Sequence, residues 1–285
     1  MTAFREPVRI AGECNGGAPS IASVRLAADT PRMPTRAKRK QAPRKRAVPD
    51  PIPRLAKRLA CHQALYDPAR EPRNGSRWLK PLQGWQSQRL ERSFAGFLDD
   101  PARQPAARFF LTDLYGDHDF SQRDADIARV IPMMQKLLPT ALLKTVADGI
   151  ELGALTHAFD LRMAEALEAL APRRRGLDAD LYARAYREVG RPHLRTRQIA
   201  LIDDVGQGLW AALRMHGVGT LLKVSRLPAR AMGFGELQGF LERGFDAFGR
   251  LGDAESFLAD IRASETRVMR RLFDGDADPF GAGDP

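Results

Sequence analysis

The sequence predicts an all-α fold: a multi-helix bundle of about nine helices around a central buried helix, preceded by a disordered basic tail. Three observations carry this reading. Apolar residues recur at i, i+3, i+4 and i+7 in one segment after another. No stretch shows the strict alternation of a half-buried strand, and no repeat of fixed period appears. One segment, Thr140 to Leu170, is apolar on two sides, as a helix enclosed by neighbours must be.

Residues 1–51 have little periodicity and are rich in Pro, Ala, Gly and Arg. Such a segment cannot bury enough apolar area to offset its ordering entropy, so disorder is expected. The first 50 residues hold eleven cations against four acids, +7 of the chain's net +10, which leaves only +3 for the other 235 residues. The basicity therefore belongs to the tail. Its densest block, Arg36, Lys38, Arg39, Lys40, Arg44, Lys45 and Arg46, could make weak, sequence-blind phosphate contacts with nucleic acid. No aromatic residue interleaves the block, so it offers no stacking platform, and a solvated tail reads the same way.

The helical domain is expected over residues 52–274, with a disordered acidic tail at 275–285. Leu55, Leu59, Leu65 and Tyr66 mark a first helix, stopped near Asp67-Pro68 by a polar loop. A second helix runs from Gly84 to Leu98, with Trp78 and Trp85 at its start as anchors over the core. Ala107, Phe110, Leu111, Leu114 and Tyr115 form the next stripe, and Gly116 suits a left-handed cap. After the turn Asp117-His118-Asp119, Ser121 caps a helix carrying Ile127, Val130, Ile131, Met134 and Leu138, with a kink expected at Pro132.

In the central segment, Gly149 and Gly153 cost about 1 kcal/mol each against Ala, a cost usually offset by close approach of another backbone. The arginines of Pro172-Arg173-Arg174-Arg175-Gly176 would complement that helix's dipole. Asp178 caps a helix striped with Leu181, Tyr182, Ala185 and Tyr186, whose tyrosines are expected at the core edge. Gly190-Arg191-Pro192 breaks it, and a long helix follows from about Leu194 to His216. Thr220 to Arg226 reads as a short helix. Phe234 to Leu251 should turn Leu237, Phe240, Leu241, Phe248 and Leu251 inward, with glycines thinning the other side. The last helix starts at Asp253 and buries Phe257, Leu258, Ile261, Val268 and Leu272.

The run FFLTDLYG, followed by DFSQRDAD and VIPMMQKLLP, resembles a bacterial family named for its FFLEELY motif, over about Leu55 to Phe273. That family is a domain of unknown function, so the resemblance implies a shared helical fold and attaches no activity. The chain departs from the name motif at Thr112 and Asp113, where two glutamates would stand; only Asp113 keeps a carboxylate.

Two cysteines, Cys14 and Cys61, make no disulfide framework and fit a cytoplasmic setting. No apolar run approaches the ~18 residues of a membrane span, and no secretory signal is read. No nucleophile elbow, P-loop, CxxC or dinucleotide fingerprint occurs. His157 sits on an apolar stripe with Asp160 three positions on. It reads first as a core histidine bonded to a neighbour, and second as a metal ligand or proton-transfer group. The chain has no Glu-x-x-His pair of the di-iron kind. The expected function is therefore non-enzymatic, by contact with a protein partner, with no cofactor. The alternative is a bundle, even an enzyme, that binds a small ligand or metal in its core through Asp113, Tyr115, Glu151 and His157.

Overall fold

The computed structural model describes residues 51–114, 129–130 and 139–281. Among these, eleven α-helices and no strand occur. The basic tail, Tyr115, the Asp117-His118-Asp119 turn and the expected kink at Pro132 lie outside the described residues.

Helix α1 spans Pro51–Tyr66, and a 3-10 turn follows at Pro72–Gly75. Helix α2 spans Leu79–Ser93, a turn earlier than the sequence suggests, because Pro81 is accommodated in the first helical turn. Trp78 precedes it and is buried, an anchor as expected. Helices α3 (Ala95–Asp99) and α4 (Gln104–Phe109) are short, and α4 runs on into a π-type turn at Phe110–Leu114.

Helix α5, Thr140–Leu170, is the centre of the bundle. It packs against α1, α2, α6 (Ala179–Val189) and α7 (Pro192–Leu213), which is why both of its faces are apolar. Its two glycines do not admit a neighbouring backbone. Gly149 faces open space, and Gly153 faces the His62 ring. The close approaches lie on α7 instead. A Cβ at Gly206 would run into Leu258, and one at Gly208 into Thr145 of α5.

Asp178 caps α6 by accepting from the Leu181 amide at 2.9 Å. Tyr182 and Tyr186 are buried in the core rather than at its edge. Gly190 and Arg191 both take positive φ (63° each), which reverses the chain before Pro192 starts α7. Helix α7 stops at Leu213, short of His216. Helices α8 (Val218–Val224) and α9 (Arg226–Ala231) lie against α10 (Gly235–Gly249), and α11 (Ala254–Asp274) closes the bundle against α6 and α7.

Two large clusters form the core. One gathers Trp78, Leu82, Met163, Leu167, Tyr182, Tyr186 and Leu272. The other is built on phenylalanine: Phe94, Phe97, Phe109, Phe110, Phe248 and Phe257. The paired phenylalanines of the FFLTDLYG run sit within it, with Phe110 ring centroids 5.9 Å from both Phe248 and Phe257. Leu237, Phe248 and Leu251 turn inward as expected, but Leu241 faces solvent and Gly244 of α10 is buried against Phe109. The stretch after Asp274, expected to fray, is held as far as Gly281. Gly275 closes α11 in the left-handed region, and Phe280 packs edge-on to Trp85 at 5.4 Å.

Candidate functional site

The proposed ligand cluster is dispersed. Asp113, in the π-type turn after α4, binds Arg243 of α10 at 2.6 and 2.8 Å. Glu151 and His157 both sit on α5 but take separate partners, and Tyr115 lies outside the described residues. No three His, Cys, Asp or Glu residues gather to hold a metal ion among the described residues.

Glu151 belongs to an ion-pair network. It accepts from Arg197 of α7 at 2.9 Å and pairs with Arg58 of α1. Arg58 also reaches Asp148 at 3.1 Å, and Lys144 meets Asp148 from one turn earlier at 2.5 Å. Both carboxylates are buried and both are answered by cations. Such an arrangement ties α1, α5 and α7 together through buried charge.

His157 has the surroundings of a core histidine. Its Nε2 lies 2.7 Å from Asn74 Oδ1, and the Leu65 backbone supplies a second hydrogen bond. Its ring stacks on Tyr66 with centroids 3.9 Å apart. Burial, aided by the nearby His62, pushes its pKa down to about 4. Asn74 in turn donates to the carbonyls of Leu65 and Glu71, so the 3-10 turn is tied both to α1 and to the imidazole.

Asp160 does not face His157. Its carboxylate is bonded by Gln83 and Gln86 of α2, and burial raises its pKa to about 6 against the pull of Arg195. Arg195 is itself buried between two rings, its guanidinium carbon 3.5 Å from the Phe159 centroid and 4.3 Å from that of Tyr186. Nearby, Arg89 of α2 grips Glu265 of α11 through two bonds of 2.6 and 3.0 Å. A polar centre thus runs through the bundle where α2, α5, α6, α7 and α11 meet. Sequence reasoning missed it, because Arg89 and Glu265 lie 176 residues apart and Arg195 falls on an otherwise ordinary polar position between them.

Arg77 was also missed. It binds Glu168 and takes the carbonyls of Ala171, Pro172 and Arg174 at 3.4, 2.7 and 3.0 Å, closing the C-terminus of α5. The exposed arginines after that helix were expected in this role. A surface groove of about 740 Å³ runs between α7 and α11, where Asp203, Glu255, Arg262 and Arg270 place both signs of charge along it.

The strongest anomaly is on the surface. Val224 and Leu227 are 69% and 76% exposed, and Leu221, Met232 and Leu241 are exposed beside them in sequence. Of the large apolar side chains that face solvent among the described residues, all but Tyr66 fall in this short span. Helix α8 buries no residue and α9 buries only Ala229. The pair is held to α10 by polar contacts: Gln238 donates to the Leu222 carbonyl at 2.7 Å, and Arg226 binds Glu242 at 2.8 and 2.9 Å. The exposed face of this arrangement is apolar, edged by Lys223, Arg226, Arg230 and Glu236.

No described helix is long and apolar enough to cross a membrane. Comparison with curated proteins and with solved structures brings no match. Residues 65–279 match the family described as Domain of unknown function (DUF8198), and with three quarters of its length so matched, the chain belongs to that family.

Proposed function

We propose that this protein acts by binding a protein partner rather than by catalysis, and that the face made by α8, α9 and the first half of α10 is where the partner docks. The single observation that carries this reading is the concentration of solvent-facing Leu221, Val224, Leu227, Met232 and Leu241 in one stretch. Contiguous exposed apolar area is uncommon on a protein without a partner. The satisfied environments of Glu151 and His157 supply no competing chemistry.

The test is capture of partners on the intact protein and on a Val224→Glu/Leu227→Glu double variant. Both positions are so exposed that folding should survive, which circular dichroism checks. Loss of a specific partner in the variant supports the reading; an unchanged set of partners overturns it. A cytoplasmic setting agrees with the cysteine usage. Kinship to FFLEELY-motif proteins, and with it a bacterial source, belongs to the same reading and rests on the FFLTDLYG run. The Arg36–Arg46 block would add salt-sensitive nucleic-acid contact, lost when the first 50 residues are removed.

A further inference from the structure

Resting on the docking face just described, we propose that its occupant is an acidic amphipathic helix of the partner protein. Leu221, Val224, Leu227 and Ala231 are all exposed and follow one another at steps of three and four, so the stripe continues across the break between α8 and α9. From Val218 to Ala231 the two helices make a ridge of about 20 Å, the length of a partner helix of about four turns. Ridges at these spacings are the surfaces that helices pack against.

Charge selects the partner. Helices α8 and α9 carry Lys223, Arg226 and Arg230 and no acid, and the adjoining half of α10 adds Glu236 and Glu242, so cations are in surplus on the face. Arg226 is paired with Glu242, a carboxylate that the nearby Arg230 also attracts without a direct ion pair, whereas Lys223 is exposed and has no ion pair among the described residues. A second copy docking this face on itself would bring two faces with the same surplus of cations together. An occupant with carboxylates flanking its leucines pairs with Lys223 and Arg230 while its apolar side covers the stripe.

The experiment titrates the full chain with two labelled synthetic peptides of about four helical turns, alike in their leucines and carrying either glutamate or lysine elsewhere. Fluorescence anisotropy should show saturable binding of the glutamate peptide and about tenfold weaker binding of the lysine peptide. Val224→Glu/Leu227→Glu should abolish binding of the glutamate peptide, and Lys223→Glu/Arg230→Glu should reverse the preference. Equal affinity for both peptides, or binding of neither, overturns the proposal. Binding to phosphatidylglycerol vesicles without peptide binding overturns it in favour of a lipid surface. A dimer in light scattering that Val224→Glu dissolves overturns it in favour of a second copy. If a lysate partner is lost with the apolar variant yet kept with the charge reversal, the docking face stands and the acidic occupant falls.

Discussion

His157 and Asp160 stand one turn apart on α5, and burial presses both toward their neutral forms, the imidazole down to about 4 and the carboxyl up to about 6. Each therefore costs the folded state something when it charges, but at opposite ends of the same pH interval. The two effects oppose each other between about pH 4 and 6.

Replacing Asp160 by Asn should stabilise the protein at neutral pH. The carboxyl pKa is higher folded than unfolded, so its contribution is fully present below about pH 3.8 and is lost as pH rises through about 6. Asp160→Asn should gain on the order of 3 kcal/mol at pH 7.5 and nothing at pH 3.5. Urea denaturation at the two pH values measures this; a loss at pH 7.5 would mean that the charged form is the one the fold holds.

The His157→Gln variant should show the opposite pH dependence. The imidazole pKa is lower folded than unfolded, so its contribution is present above about 6.5 and is lost as pH falls through about 4. The variant should be less stable than the parent at pH 7.5, having lost the stack on Tyr66, and the gap should shrink by pH 4. In thermal melts across this range, a constant gap would mean that folding leaves the imidazole pKa unchanged, and a gap that widens toward pH 4 would mean that the fold holds the charged ring.

Glu151→Ala should cost about 3 kcal/mol, because it strips Arg58 and Arg197 of a buried counter-charge. Glu151→Gln, which keeps one acceptor, should cost less. Chemical denaturation of both variants decides. A negligible loss in Glu151→Ala would place the strength of the α1–α5–α7 junction in its apolar contacts alone.

The fold was legible where its causes are local. The double stripe of Thr140–Leu170, the Asp178 cap, the start of the last helix at Asp253 and the Gly190-Arg191-Pro192 break each follow from neighbouring residues, and each stands in the structure. The partners of Glu151, His157 and Asp160 were not legible, because each is answered by a side chain far along the chain that no spacing rule names. The outward stripe of α8 and α9 escaped for a different reason. Period 3.6 marks one face of a helix but does not say whether core or partner covers it, so Leu221, Val224 and Leu227 look like core residues in sequence. Leu241 was misplaced on the same ground.

The guanidinium of Arg77 grips carbonyls 94 to 97 positions downstream at the end of the longest helix. That helix is thus completed from outside itself, by a part of the chain made well before it. A ribosome must release the region through Arg174 before this clasp can close, so the emerging amino-terminal helices wait with their inner surfaces uncovered. Folding should then be slower than the helical content alone suggests, since local coils form quickly but the contacts that lock them are remote.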